Sequence, residues 1–169
     1  MDAIRDPATL REEPDVEYSE TRTTDGQDAF DYFDGIAGLV AIGITNDEGA
    51  VLLMDSPHGW RLPYGHVDAG SDWLARTEEI GEMLTGVPVR AAEVLRVSEI
   101  THELRTDADQ TATSFDAVVG TDPVDGEPLA HDPTFGEWET LELDWFDEVP
   151  EDAYHTHADA VDDIEYFLE

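Results

Sequence analysis

Three glutamates within one short segment are the side chains with the clearest chemical use. The spacing of apolar residues predicts a helix over residues 72–84, with a capping side chain at its start and a glycine after its end. At about 100° per residue, Glu78, Glu79 and Glu82 lie on one side of that helix. Carboxylate oxygens are the ligands that Mg²⁺ prefers, so these residues are candidate metal ligands. In so acidic a chain a solvated helix face also collects glutamates, and the helix alone leaves both interpretations open.

The opposite side of the predicted helix is apolar and should face a core. Its residues are Trp73, Leu74, Thr77, Ile80, Gly81 and Leu84. Immediately before the helix, residues 60–70 contain two glycines and a proline, which is typical of a loop. A metal ion held beside this loop would bridge phosphate oxygens and lower the pKa of a bound water. It would also let a very acidic protein accept an anionic substrate.

These residues must be positioned by a mixed α/β or α+β domain. Apolar runs predict strands at residues 36–44, 50–54, 94–100, 114–119 and 141–146, and a closing amphipathic helix at 157–168. Turn residues at 45–49 predict that the first two strands form a hairpin. Residues 1–34 are polar and acidic, and we predict an N-terminal extension with a short strand near 16–20 and a helical turn near 29–33. One domain over residues 35–169 follows.

The charge balance argues against several classes of function. The 169 residues include eight Lys+Arg, all of them arginine, and 42 Asp+Glu, so the formal net charge is −34. Such a surface repels phosphate backbones and anionic lipids, which argues against binding to double-stranded nucleic acid or to a membrane surface. The hydrophobic fraction of 40% is ordinary. The composition therefore indicates a folded protein from a salt-loaded cytoplasm, where screening weakens the self-repulsion.

The remaining composition limits the chemistry and the compartment. The lack of cysteine excludes disulfides, thiolate catalysis and cysteine-based zinc sites. No apolar run reaches the ~18 residues that a membrane span requires, and the first residues do not resemble a signal peptide. We therefore expect a soluble, cytoplasmic protein. The oligomeric state stays open, and an exposed sheet edge or the N-terminal extension could support a homodimer.

The order of these features resembles that of the Nudix hydrolases, which cleave nucleoside diphosphates linked to another moiety. Residues 60–70, W-R-L-P-Y-G-H-V-D-A-G, are similar to the family's W-x-L-P-G-G-x-V-E-x-G, with Tyr64 and Asp68 as departures. Residues 85–87 resemble the end of the Nudix box, and the whole resemblance covers residues 35–168. It implies a Nudix-like α/β/α sandwich around a mixed β-sheet.

The catalytic box of that family, G-x5-E-x7-R-E-U-x-E-E-x-G-U with U aliphatic, is degenerate in this chain. An ungapped alignment fills the four glutamate positions with Ser71, Ile80, Met83 and Leu84. A shift of one residue along the helix instead places Glu79 and Glu82 in glutamate positions, Glu78 in the arginine position and Ile80 in the core. Met83 still replaces the second glutamate of the final pair. We favour the shifted register because the ungapped one would expose Ile80 in the cleft.

The resemblance implies a pyrophosphohydrolase that requires Mg²⁺ or Mn²⁺ and cleaves a small nucleotide-like substrate, a nucleoside diphosphate derivative. In the shifted register Glu79 and Glu82 are the catalytic residues, and Glu78, Glu79 and Glu82 are the metal ligands. Three residues from the preceding segment are the candidate substrate-binding residues: Arg61, Gly65 and His66. The alternative is a Nudix-fold ligand-binding or regulatory module that has lost catalysis, which the missing arginine and glutamates favour.

Several further residues are weaker candidates. A compensating acid could come from near the last strand, from Glu137, Glu139 or Glu142. The pair His155 and His157 could bind a metal, or cap the last helix, or lie on the surface. His102 and His131 have no partner that the sequence identifies, and no acid–base–nucleophile arrangement is recognisable around Ser114.

Overall fold

The computed structural model describes residues 3–56, 59–130, 142–153 and 160–168. Within these ranges a short 3₁₀ turn at Pro7–Leu10 precedes eight strands and three α-helices. The strands are β1 (Glu17–Asp25), β2 (Gly38–Gly43), β3 (Val51–Ser56), β4 (Gly59–Arg61), β5 (Tyr64–Val67), β6 (Ala91–Leu104), β7 (Asp107–Thr121) and β8 (Leu143–Phe146). The helices are α1 (Gln27–Asp34), α2 (Trp73–Thr85) and α3 (Ala160–Glu165). No helix in the described ranges is long and apolar enough to cross a membrane.

The strands form one mixed sheet and one smaller antiparallel sheet. The five-stranded sheet has the order β1-β6-β7-β2-β5, in which β1 runs parallel to β6 and β2 runs parallel to β7. The other two pairs in this sheet, β6–β7 and β2–β5, are antiparallel. The three-stranded sheet has the order β4-β3-β8 and is antiparallel throughout. The predicted mixed sheet is confirmed.

Helices cover the sheets on both faces. Successive side chains of a strand point to opposite faces, so one strand contributes to two cores. On one face, Val40 of β2 belongs to the core that contains Ile80 of α2. On the other face, Val118 of β7 packs with Ile164 of α3, and Phe33 of α1 lies over the same side of the sheet. The arrangement confirms the predicted mixed α+β fold with helices on either side of the strands.

Helix α2 begins and ends as its sequence predicts. Oδ1 of Asp72 accepts a hydrogen bond from the N–H of Leu74 at 3.1 Å, which caps the first turn. Gly86 ends the helix with a φ of 77°, a left-handed conformation that glycine adopts without strain. All six residues of the predicted core side are buried: Trp73, Leu74, Thr77, Ile80, Gly81 and Leu84. The predicted phase of the helix is therefore confirmed.

The N-terminal segment is more structured than its sequence predicts. The short strand expected near 16–20 is the nine-residue β1, which pairs with β6 along its whole length. The helical turn expected near 29–33 is α1, which packs through Phe30 against Leu104 and Ala112. The boundary after residue 34 stays a prediction. In the described structure, residues 17–25 are a strand of the five-stranded sheet, and residues 27–34 pack on that sheet through Phe30.

The predicted hairpin between β2 and β3 is only partly present. Its turn is formed, because Oδ1 of Asn46 accepts the N–H groups of Glu48 and Ala50 at 3.0 and 2.9 Å. Beyond the bond from Leu52 N–H to the carbonyl of Ile44, the strands diverge into the two sheets. Strand β2 pairs with β5 and β7 instead, which a prediction from local turn residues does not include.

Candidate active site

Helix α2 presents its residues in the phase that the shifted register requires. Ile80 has no exposed surface, whereas Glu79 and Glu82 are exposed. The ungapped register would assign a metal-binding position to Ile80, and its burial in the apolar core is incompatible with that role. The burial of Ile80 and the exposure of Glu79 and Glu82 are what the shifted register expects, and the register itself stays a prediction.

Glu78 differs from the other two glutamates because its carboxylate is used within the fold. The residue is partly buried, and its Oε2 accepts a hydrogen bond from the backbone N–H of Ala91 at 3.0 Å. This bond ties α2 to the first residue of β6. It occupies one of the two carboxylate oxygens, which reduces what Glu78 can offer to a metal ion.

Glu79 is held by an arginine from the preceding turn of α2. The Nη1 atom of Arg76 forms an ion pair with the Glu79 carboxylate, and the Nε atom of Arg76 donates to the carbonyl oxygen of His66 at 2.9 Å. The Arg76 side chain is 20% exposed and that of Glu79 is 62% exposed. The guanidinium therefore connects strand β5 to a carboxylate that remains open to solvent.

A cleft of about 470 Å³ lies beside the start of α2, and we call it the α2 cleft. Its polar lining residues include Arg5, His66, Asp68, Arg76 and Glu79. The Nε2 atom of His66 lies 3.5 Å from Oδ1 of Asp68. The structure thus brings the predicted substrate-binding residue His66 together with the predicted catalytic residue Glu79. The other two glutamates of α2 are not among the residues that line this cleft.

The residues of α2 fit a two-carboxylate metal site better than a three-carboxylate one. Among the described residues, no three His, Asp or Glu side chains come close enough together to hold a metal ion. Glu79 and Glu82, three residues apart, both lie on the exposed side of α2. Mg²⁺ commonly takes only one or two protein carboxylates and completes its octahedral coordination with water and substrate phosphate oxygens. Glu79 and Glu82 could supply two such carboxylates, and the carboxylate of Glu79 is also paired with Arg76.

A second cavity, of about 350 Å³, lies on the face of the five-stranded sheet that carries α1 and α3; we call it the sheet-face cavity. The Arg61 guanidinium stacks over the ring of Tyr64, 4.3 Å from its centroid, and both residues line the cavity. Arg96 lines it as well and pairs with both carboxylate oxygens of Asp163 at 2.8 and 3.0 Å. The cavity therefore combines two guanidinium groups with an aromatic surface.

Strand β5 connects the two cavities. Tyr64 lines the sheet-face cavity and His66 lines the α2 cleft, and residues two apart on a strand point to the same face. Gly65 lies buried between them, paired with Val40 of β2. The three predicted substrate-binding residues are thus not gathered in one cavity: Arg61 belongs to one and His66 to the other. Along β5, Tyr64 and His66 are separated by roughly 7 Å.

The sequence did not identify the partners of His102 and Ser114. In the structure, His102 contacts Asp25 through Nδ1 at 2.5 Å and Ser114 through Nε2 at 2.7 Å. The structure therefore shows an acid–imidazole–hydroxyl arrangement at Ser114 that the sequence did not reveal. Asp25 is 77 residues from His102 along the chain, and the pairing of β1 with β6 brings them together. A polar His and Ser at positions that face a sheet core are the only sequence indication.

Glu142, a candidate within the described residues, lines neither cavity. Glu142 is exposed, and its carbonyl oxygen accepts a hydrogen bond from the N–H of Asp55 at 3.0 Å. Five candidates lie outside the described residues: His131, Glu137, Glu139, His155 and His157. The residues that the sequence analysis missed come from distant segments, namely Thr21, Phe33, Arg96 and Asp163 around the sheet-face cavity.

Two tyrosines anchor strand β1 through glutamate partners. Burial, together with a hydrogen bond to Glu99, raises the pKa of Tyr18 to about 12. Burial and a hydrogen bond to Glu17 raise the pKa of Tyr166, which follows α3, to about 12 as well. Loss of the phenolic proton would place a second negative charge beside each carboxylate. Both tyrosines therefore hold their protons more strongly in the folded chain than in water.

Comparisons with known proteins give a limited result. No protein-family model matches the chain, and no curated protein is significantly similar to it in sequence. Among solved structures, the chain is similar to a Nudix hydrolase from Nitrosomonas europaea, with 17% sequence identity and a TM-score of 0.45. The similarity covers 78% of this chain and 69% of that one. At this identity and TM-score the likeness assigns neither a family nor a function to this chain.

Proposed function

We propose that the protein is a metal-dependent pyrophosphohydrolase of the Nudix type, which cleaves a diphosphate bond in a nucleoside diphosphate derivative. The observation that carries the proposal is the phase of α2. Ile80 is completely buried, and Glu79 and Glu82 are exposed, as the shifted box requires. Glu79 also lines the α2 cleft together with His66 and Asp68, which belong to the W-R-L-P-Y-G-H-V-D-A-G segment.

The distribution of arginine supports an anionic substrate. The chain has eight basic side chains, and four of them line the two cavities: Arg5 and Arg76 in the α2 cleft, Arg61 and Arg96 in the sheet-face cavity. Carboxylates line the same cavities and offset this charge: Asp68, Asp72 and Glu79 in the α2 cleft, Asp116 and Asp163 in the sheet-face cavity. A phosphate would therefore meet guanidinium groups as local hydrogen-bond donors, and a divalent metal ion would have to supply the net positive charge. Guanidinium groups bind phosphate oxygens in bidentate geometry.

The geometry of β5 supports a substrate that extends between the cavities. A diphosphate beside His66 and Arg76 in the α2 cleft would place the rest of the molecule toward Tyr64 and Arg61. The ring of Tyr64 offers an apolar surface to a sugar or base, and Arg61 offers charge. Substrate identity beyond this class depends on which groups the sheet-face cavity accepts.

The residues of α2 would divide the catalytic work between them. Glu79 and Glu82 would hold Mg²⁺ or Mn²⁺, which would neutralise phosphate charge and lower the pKa of a coordinated water. Arg76 orients Glu79 through their ion pair, and His66 can donate a hydrogen bond to a phosphate oxygen in the α2 cleft. Glu78 fixes the helix against β6 through Ala91.

A second function, a ligand-binding or regulatory module without catalysis, is favoured by a different observation. Met83, 42% exposed, occupies the position of the last box glutamate in the shifted register. No cluster of three acidic or histidine side chains replaces it within the described ranges. Such a module would keep the arginine-lined cavities and lack turnover.

Turnover by the full chain distinguishes the two functions. A panel of nucleoside diphosphate derivatives would be incubated in concentrated KCl with Mg²⁺, with Mn²⁺ or with a chelator, and the phosphorylated products identified. The proposal predicts metal-dependent release of a nucleoside monophosphate from at least one compound. Ligand-induced thermal stabilisation without any product would instead support the binding module.

A further inference from the structure

A buried chain of hydrogen-bonded side chains lies beneath α1. The imidazole of His102 is 2.5 Å from Oδ2 of Asp25 at Nδ1 and 2.7 Å from Oγ of Ser114 at Nε2. His102 is 2% exposed and Ser114 is completely buried. An ionised carboxylate only accepts hydrogen bonds, so Nδ1 carries a proton toward Asp25, and Nε2 forms the second hydrogen bond with the serine hydroxyl. Both ring nitrogens are thus satisfied, and the orientation of the ring is fixed.

The same imidazole supports an aromatic side chain of α1. The ring of Phe33 stacks on that of His102, with centroids 4.4 Å apart and an angle of 11° between the planes. Phe33 also lines the sheet-face cavity, where Thr21 of β1 and Ile100 of β6 are its neighbours in the wall. The His102 ring therefore lies directly against a residue that forms part of the wall of that cavity.

The same three residue types form the nucleophilic triads of hydrolases, but two features argue against that role in this chain. Ser114 has no exposed surface from which to reach a substrate. It also lies inside β7, where the next amide, that of Phe115, donates to the carbonyl of Ala37 at 3.0 Å. The amide that follows Ser114 is therefore already used within the sheet and is not free to stabilise an oxyanion.

Apolar residues in place of Asp25, His102 and Ser114 would stabilise the fold without the unfavourable free energy of burying polar groups. Moving a carboxylate and an imidazole out of water is unfavourable, and well-packed hydrophobic residues often replace such buried groups without loss of stability. A satisfied polar chain does, however, specify a single arrangement, because each partner must lie at one place. Here the hydrogen-bonded side chains link β1, β6 and β7, and the central one, His102, stacks against the ring of Phe33.

We propose that Asp25, His102 and Ser114 form a positioning relay that holds Phe33 as a fixed wall of the sheet-face cavity and thereby sets ligand affinity there. The ligand class, a nucleoside diphosphate, rests on the proposed function. The effect of the relay on Phe33 and α1 does not depend on the proposed function.

The first test removes one hydrogen bond with little change of shape. Ser114→Ala leaves Nε2 of buried His102 without its partner, and Thr113→Ala, an exposed neighbour on the same strand, is the matched control. Hydrogen exchange of the full chain in concentrated KCl would report on residues 27–34. We expect protection of these amides to fall about tenfold in Ser114→Ala, with no change in Thr113→Ala or in α2. Unchanged protection of α1 in Ser114→Ala would overturn the relay.

The second test asks whether the relay acts through Phe33. Affinity for ADP would be measured by calorimetry for Ser114→Ala, for Phe33→Leu and for the double variant. We expect each single change to weaken binding about three- to tenfold, and the double variant to lose no more than Phe33→Leu alone. Additive losses would overturn the coupling, and covalent labelling of Ser114 by a fluorophosphonate would overturn the positioning role. If the wild-type chain does not bind ADP, the proposed ligand class fails, and the hydrogen-exchange result still decides the relay.

Discussion

Arg76 and Glu79 form an ion pair on adjacent turns of α2, and the same guanidinium donates to the carbonyl oxygen of His66 at 2.9 Å. One side chain thus links the strand before the helix to the acidic residue that lines the α2 cleft. Arginine is scarce beside the carboxylates of this chain, which has 42 acidic and only eight basic residues. The pairing marks Glu79 as a residue whose position is specified by the fold.

The Arg76 contacts should contribute measurably to stability. Arg76→Gln removes a partly buried charged hydrogen bond and an ion pair, so we expect the free energy of unfolding to fall by about 1–2 kcal/mol. Arg22→Gln is the control, since Arg22 pairs with Glu103 at 2.8 Å with 57% of its side chain exposed. Its loss should be under about 1 kcal/mol. Denaturant unfolding in concentrated KCl measures both, and equal losses would contradict the role given to the His66 contact.

Met83→Glu tests the shifted register directly. Met83 is 42% exposed and follows Glu82, so a carboxylate there costs the fold little and completes the final glutamate pair. We expect the affinity for Mn²⁺ to rise several-fold in a calorimetric titration. Leu129→Glu, which adds the same charge at a position that is 45% exposed, is the matched control and should have no effect. Equal affinities in the two variants would mean that the one-residue shift is wrong.

The raised pKa values of Tyr18 and Tyr166 predict that the fold loses stability at high pH. The pKa values of Tyr18 and Tyr166 rise from 10.0 to about 12, so the folded chain retains protons that the unfolded chain releases. Their contribution is complete below pH 10 and is lost as the pH rises to about 12. Urea unfolding over this range should show the decline. Tyr18→Phe should flatten it and the exposed Tyr32→Phe should not; a Tyr18→Phe curve identical to that of the wild type would count against this assignment.

Salt should stabilise the fold strongly. At a net charge of −34, repulsion between carboxylates falls as the Debye length shrinks from about 10 Å at 0.1 M to about 3 Å at 1 M salt. We expect the melting temperature to rise steeply with KCl up to about 1 M. Sucrose, which is excluded from protein surfaces and does not screen charge, should give a smaller effect. A melting temperature that does not respond to KCl would remove the prediction of a salt-loaded cytoplasm.

The sequence predicts well those features that depend on neighbouring residues. The span of α2 and the burial of Ile80 follow from local spacing, and the structure confirms both. From the sequence, Ser71 and Asp72 are both possible caps, and the structure shows that Asp72 is the one. The sequence predicts too short a strand at β1. Seven of its nine side chains are exposed, so the alternation of apolar and polar residues that indicates a strand is missing there. The pairing of Asp25 with His102 depends on the register of β1 against β6, which no local pattern contains.

The cavities were unpredictable for the same physical reason. The sheet-face cavity joins Thr21, Phe33, Arg61, Arg96 and Asp163, which come from five separate elements. Only Arg61 was a candidate, because it lies in a recognisable motif. The ion pair of Arg96 could not be predicted either, because its partner Asp163 is 67 residues away along the chain.

The most direct test of the proposed function is the hydrolysis rate of Glu82→Gln beside that of Glu12→Gln. Both substitutions remove one negative charge from an exposed position, but only Glu82 belongs to the proposed metal site. With a substrate identified from the diphosphate panel, we expect kcat in Glu82→Gln to fall by about two orders of magnitude, a loss typical of removing one electrostatic stabiliser. The rate of Glu12→Gln should equal that of the wild type. Full activity in Glu82→Gln, with the fold intact, would contradict catalysis through Glu79 and Glu82.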